Sequence, residues 1–322
     1  MKRRLLLLST AALLLARVAG LAQARARPWR VGYLASIPRR EEFDVLRKSL
    51  RELGHVEGKD VVYERRFTDG LNEPLAGLAA ELVALHVDVL VTFGTPATQA
   101  AQQATKTVPI VMVYTGDPLG SGLVPNLARP GGNTTGVANL NTEINAKRVD
   151  LLVLTLPKLA RVAALLNPTN ATYPANVEAL EAAARKAKLK LLLFPARNLA
   201  DIERAFPAMK REGAEALIVH TDSLFGSYAR QVGEAAMRFR LPVIGHREVV
   251  RYGGLMSYEP NRPAQMARAA AYVDRILKGA RPAEMPVEQP VHFDLTVNLK
   301  AARTLGIEIP REVLLLADEV VS

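Results

Sequence analysis

The chain has 322 residues, of which 49% are hydrophobic, 23% charged and 5% aromatic, with a formal net charge of +10 and no cysteine. This length and balance suit one large or two medium globular domains with a sizeable core, and they exclude intrinsic disorder. The missing thiols exclude a disulfide framework, a thiolate metal site and a lipid-modified cysteine.

Residues 1–24 read as an export signal. Lys2-Arg3-Arg4 is a basic start, residues 5–15 are an apolar run broken by Ser9 and Thr10, and Ala22-Gln23-Ala24 is a small-x-small cleavage pattern. The apolar run is too short to span a bilayer. Loss of this segment removes Lys2, Arg3, Arg4 and Arg17 and lowers the net charge to +6. A soluble, unlipidated protein of the periplasm is the expectation. The remaining basic residues, such as Arg47, Lys48 and Arg51, are scattered without interleaved aromatics, so no nucleic-acid partner is expected.

From residue 30 onward, apolar runs alternate with helical periods. Strands are predicted at 30–35, 60–67, 89–93 and 110–114, and helices at 41–53 and 71–86. Another helix starts at Thr95-Pro96, with Thr95 as its cap and Pro96 in its first turn. The runs at 89–93 and 110–114 are short and wholly apolar, as in strands buried on both faces of a parallel sheet. After a turn at 129–133, an extended piece at 134–140 and a helix at 143–156 follow. The alternation then restarts with strands at 162–166, 189–194, 216–220 and 243–244, and helices at 175–187, 200–212 and 224–239. A further extended piece at 255–258, an amphipathic helix at 262–278, a strand at 291–297, a short helix at 299–305 and an apolar run at 313–316 close the chain. Two doubly wound α/β lobes are the economical model, with the tail crossing between them to make a hinge.

Enzymatic signatures are sparse. The glycines at 116, 120 and 122 do not match a dinucleotide fingerprint, and the chain carries no nucleophile elbow and no phosphate-binding P-loop motif. Its five histidines are widely separated, so no metal site and no cofactor are expected. The polar residues at strand ends suit recognition better. In open α/β sheets, ligands bind beyond the carboxyl ends of the strands. There, helix amino ends and hydroxyls such as Thr95, Thr115, Ser121, Thr221 and Ser223 suit a ligand carboxylate, while Asp117, Asp222 or Glu248 suits an ammonium. Two of these carboxylates also have a local use: Asp222 as a helix cap, Asp117 in an Asx turn before Pro118. Phe93, Tyr114, Tyr173, Phe225 and Tyr258 are candidates for a cleft wall or for the core.

Several longer stretches carry a resemblance. They are 52–59 (ELGHVEGK), 91–97 (VTFGTPA), 116–124 (GDPLGSGLV), 127–136 (LARPGGNTTG), 253–258 (GGLMSY) and 277–282 (LKGARP). Together they resemble the ABC-transporter substrate-binding proteins, in the group that includes aromatic amino-acid binders. The resemblance implies a type I periplasmic-binding fold: two Rossmann-like lobes with parallel sheets, joined by a three-crossover hinge. It places lobe one at 25–136 plus 262–278, and lobe two at 137–258 plus 286–322. By position it implies ligand contacts from Ser36, Gly94, Thr95, Thr115 and Asp117 in lobe one, and from Asn167, Asp222, Glu248 and Tyr258 in lobe two. The expected protein is a non-enzymatic, monomeric receptor. It traps a small molecule, such as an aromatic or branched amino acid, and hands it to an inner-membrane ABC permease. Two other readings stay open at this point: an exported α/β enzyme acting on a small metabolite, and a ligand sensor for a membrane receptor.

Overall fold

The computed structural model describes residues 27–68, 70–139 and 141–322, so the expected export signal at 1–24 lies outside the described residues. Lobe one begins with β1 (Trp29–Ala35), α1 (Arg40–Glu52), β2 (Val61–Phe67), α2 (Leu75–Ala84), β3 (Val89–Phe93), α3 (Thr95–Ala104), β4 (Ile110–Gly116) and β5 (Thr134–Asn139). Its five strands pair in the order β2-β1-β3-β4-β5, all parallel. Every residue of β3 and β4 is buried, as their unbroken apolar runs require when helices cover both faces of the sheet.

The chain then crosses into lobe two through α4 (Asn141–Thr155). There follow β6 (Arg161–Leu166), α5 (Tyr173–Lys186), β7 (Lys190–Pro195), α6 (Leu199–Arg211), β8 (Ala216–Val219), α7 (Ser223–Ser227), α8 (Ala229–Arg238), β9 (Val243–Gly245), α9 (Arg247–Val250) and β10 (Met256–Pro260). After Pro260 it returns to lobe one as α10 (Arg262–Leu277), which packs on α1 and beside β3, β4 and β5. A third passage leads to β11 (Phe293–Asn298), α11 (Leu299–Leu305), α12 (Arg311–Leu316) and β12 (Glu319–Val321). The second sheet runs β12-β11-β10-β9-β8-β6-β7 and is parallel except between β10 and β11. Each sheet thus has a core on either face. In lobe one these centre on Phe43, Leu46 and Val273 on one side and Leu75, Leu82 and Leu90 on the other.

Several local details depart from the sequence expectation. The helix expected over 71–86 starts only at Leu75, because residues 71–74 form a turn ending at Pro74. The helix expected over 224–239 is broken at Tyr228, whose φ of −104° and ψ of 25° separate α7 from α8. The run at 313–316 belongs to α12, and the chain adds an edge strand, β12, that its short sequence did not suggest.

The most consequential local feature lies in β4. The β4–β5 register shifts between Val113 and Thr115, and Tyr114 sits in the left-handed region at φ 57°. Such a bulge costs strain for a bulky residue and re-aims its side chain. Next to it β5 comes close: a Cβ on Gly136 would lie 2.1 Å from the Met112 carbonyl oxygen, so only glycine fits.

Candidate functional site

The carboxyl ends of β3 and β4 face those of β8 and β9 across the junction of the lobes. The cavity between them is lined by Phe93, Gly94, Thr95, Tyr114 and Asn139 from lobe one and by Asn170, Thr221, Asp222, Ser223 and His246 from lobe two. Arg39 and Arg262 close its sides. It measures about 30 Å³, far below the roughly 300 Å³ at which small-molecule sites begin, so in this arrangement the lobes stand closed on it.

On the lobe-one side the wall is the amino end of α3. Gly94 is the N-cap residue at φ 87°, and no side chain caps the helix. Thr95 does not cap it as the sequence suggested; its hydroxyl exchanges hydrogen bonds with Gly116, accepting from the amide at 3.2 Å and donating to the carbonyl at 3.3 Å. This ties the tip of β4 to the start of α3 and leaves the helix amino end facing the cleft. Behind it lies a ladder of hydroxyls: Thr98 meets Thr92 at 2.8 Å and Thr115 at 3.2 Å. Thr115 therefore supports the wall from within the lobe. Beside it, the bulge turns the Tyr114 ring onto Phe93, stacked at 5.1 Å, and the Tyr114 hydroxyl donates to Glu259 of β10 at 2.9 Å. Burial, reinforced by Glu259, raises the Tyr114 pKa, so the phenol stays a donor.

On the lobe-two side the wall is Asp222. Its Oδ1 accepts from Asn167 Nδ2 at 3.1 Å and from the Leu224 amide at 2.9 Å, and its Oδ2 accepts from Asn170 Nδ2 at 2.7 Å. Asp222 is thus both a cap of α7 and a cleft residue, while Asn167 stands behind it as an orienting group. One acceptor position on Oδ2 remains for a ligand donor.

Below this wall lies Arg148 of α4, a residue that sequence reasoning missed. Its side chain is fully buried and donates to the carbonyls of Val219 and Gly245, the carboxyl ends of β8 and β9, and of Tyr258 in the middle of β10. A fourth bond at 3.0 Å reaches the Thr221 hydroxyl on the cleft wall. Burial lowers its pKa to about 10, leaving it charged at neutral pH. The helical period around 143–156 marks Arg148 as inward-facing, but nothing local shows that it ends under three strands of the second sheet. Asn139, also missed, is 3% exposed, and its Nδ2 has no hydrogen-bond partner among the described residues. Asn139 and Asn170 add amide donors to the cleft from opposite lobes.

The remaining expected contacts lie elsewhere. The Ser36 hydroxyl turns to Asn72 Oδ1 at 3.3 Å, and its carbonyl accepts from Gly70 and Thr68. The Asp117 carboxylate folds onto the Gly120 amide at 2.9 Å, closing the turn after β4, and is not part of the cleft lining. Tyr258 is half-buried, stacks on Phe293 at 5.5 Å and packs against the core of lobe two. Glu248 is enclosed by Arg39, Arg262 and His246. Of the nine residues, Gly94, Thr95 and Asp222 line the cavity, and Thr115 and Asn167 stand directly behind it.

Comparisons with known proteins agree with this architecture. The model of the family described as ABC transporter substrate binding protein matches residues 38–321, and the chain belongs to that family. A crystal structure of an ABC domain in complex with L-Trp from Streptococcus pneumonia is 28% identical, with a TM-score of 0.85, over 92% of this chain and 100% of that one. A conserved domain protein of Vibrio cholerae is 29% identical, with a TM-score of 0.85, over 91% of this chain and 100% of that one. A tyrosine-binding protein of Clostridioides difficile is 23% identical over 81% of this chain and 75% of its own length. This protein is a substrate-binding protein of the ABC-transporter type, a class that binds small molecules and works with ABC permeases.

Proposed function

We propose that this chain is an exported receptor that traps an amino acid between its lobes, an aromatic one by preference, and delivers it to an inner-membrane permease. The observation that carries this reading is the pairing of two opposite walls. The uncapped amino end of α3 offers backbone N–H groups and a positive dipole end suited to a carboxylate. Asp222, oriented by two asparagines, offers a carboxylate suited to an ammonium. Phe93 and Tyr114 supply apolar ring surface beside them. The relatives' names, a tyrosine-binding protein and an L-Trp complex, support the aromatic class.

The receptor works as a monomer in the periplasm, without cofactor, and makes no covalent change to its ligand. Its ligand drives closure because it touches both lobes only when they are closed. The test is a thermal-shift screen of the twenty amino acids followed by calorimetric titration. Aromatic amino acids raise the melting temperature, and Asp222→Asn weakens their binding by about a hundredfold, the order expected for loss of a desolvated charge-assisted contact. A screen in which no amino acid shifts the melting temperature refutes the ligand class.

A further inference from the structure

Glu248 was expected to hold ligand, but four contacts from three partners leave it no acceptor position for one. Its Oε1 accepts from Arg39 at 2.5 Å and from Arg262 at 2.5 Å. Its Oε2 accepts from Arg262 at 3.0 Å and meets His246 Nδ1 at 3.0 Å. A carboxylate offers about four such positions, and all are used. Burial opposes the charge of Glu248, but Arg262, Arg39 and the His246 hydrogen bond outweigh it and hold its carboxyl well below the usual range.

These partners come from different bodies. Glu248 and His246 belong to lobe two, whereas Arg39 ends the β1–α1 loop of lobe one and Arg262 opens α10 at the second crossover. Both guanidiniums also lie over cleft rings: Arg39 is 5.0 Å from the Phe93 centroid and Arg262 5.1 Å from that of Tyr114. One carboxylate of the opposite lobe thus gathers both guanidiniums beside the stacked Phe93–Tyr114 pair. The lobes touch tightly around this point. A Cβ on Gly226 of α7 would lie 3.4 Å from an Arg39 nitrogen, and one on Gly70 would lie 2.0 Å from Ser227 Oγ. Arg39 reaches Glu248 only in that close-packed arrangement.

We propose that Glu248 is a closure residue: the docking of Arg39 onto it is the interlobe bond that stabilises the closed lobes, and it draws the Arg39 guanidinium over Phe93 as the side wall of the cleft. His246 and Arg262 present the carboxylate, and Arg39 is the arm that engages it. This inference uses the two-lobe closure of the receptor reading and needs no knowledge of the ligand. The bond populates the closed arrangement in the protein by itself, and ligand adds to it.

The absence of cysteine makes the test direct, because two introduced thiols can be labelled without background. Spin labels on Glu52→Cys of α1 and Glu234→Cys of α8, both on exposed side chains, report the interlobe distance by pulsed electron resonance. The measurement compares the wild type, Arg39→Gln, Glu248→Gln and the double variant, without ligand and with L-tryptophan. The wild type is expected to show a short-distance population without ligand. Each single substitution lowers the closed-to-open ratio about tenfold, as for a charge-assisted bond, and the double variant lowers it no further. Retained melting temperatures confirm that both lobes remain folded. A wild type without ligand that lacks the short-distance population, or singles that leave the ratio unchanged, or effects that simply add, overturns the proposal. Failure of L-tryptophan to alter the distances bears only on the ligand class.

Discussion

The two lobes present the same kind of surface to the cleft, the carboxyl tips of parallel strands, but they build it with opposite chemistry. In lobe one the tips are held by neutral hydroxyls: Thr92, Thr98 and Thr115 form a ladder, and Thr95 bonds Gly116. In lobe two they are held by buried charge, with Arg148 under the ends of β8 and β9 and the middle of β10, and Asp222 fixed by Asn167 and Asn170. A hydroxyl ladder satisfies buried polar groups at small desolvation cost, so that wall is stable and neutral. A buried guanidinium without a hydrogen-bonded carboxylate is costly, and it is retained where it organises several carbonyls at once. One lobe therefore offers a dipole and the other a charge, which together suit a zwitterionic ligand.

The contrast can be broken most severely at Arg148. Arg148→Met leaves the carbonyls of Val219, Gly245 and Tyr258 without their donor, and urea unfolding should show a loss of about 3 kcal/mol. An unchanged midpoint would show that the charge is not what holds the lobe-two rim. The equivalent cut in lobe one, Thr98→Val, should cost only about 1 kcal/mol.

A second test sharpens the charged character of lobe two through pH. The His220 ring is 3% exposed with neither nitrogen hydrogen-bonded among the described residues. Burial first, then Arg148 and His246, push its pKa down to about 3 from 6.5. The folded state thus keeps it neutral while the unfolded chain takes up a proton. Stability is fully present above pH about 6.5 and falls below it by about 1.4 kcal/mol per unit until the folded value is reached. His220→Leu should flatten this slope in unfolding curves recorded between pH 4 and 7.

The smallest effects are expected at the two carboxylates that do not line the cavity. Asp117→Ala removes a bond to the Gly120 amide and should cost about 1 kcal/mol of stability while leaving ligand affinity unchanged. Reduced affinity would return Asp117 to the binding site. For Glu248 the carboxyl is held well below its ordinary value of 4.5, so its contribution to closure is present above that value and lost only as pH falls through the depressed one. The Glu248 carboxylate should therefore contribute no change in interlobe distance between pH 6 and 8, and a change there would trace to a group other than this carboxylate.

Much of this was readable from the chain itself, for a physical reason. Strand burial and helix amphipathicity are local patterns, so β3, β4, α1 and α10 fall close to their predicted bounds. Gly94-Thr95-Pro96 carries its geometry in its own backbone preferences, and Asp222 two residues ahead of Leu224 is a local cap. What the chain could not show locally is which distant groups meet. Arg148 looks like any inward residue of α4 until three strands converge above it. Glu248 looks like a free carboxylate until two arginines, from positions 39 and 262, claim it, whereas the turn that claims Asp117 is local and was readable from the chain. Even Tyr114 takes its direction from a bulge that only pairing with β5 creates. The sequence alone determined two α/β lobes and one rim of the cleft, because those rest on neighbouring residues. The tertiary structure decided which charges are spent within the protein and which face a ligand, because hydrogen-bond saturation depends on residues brought together from across the chain.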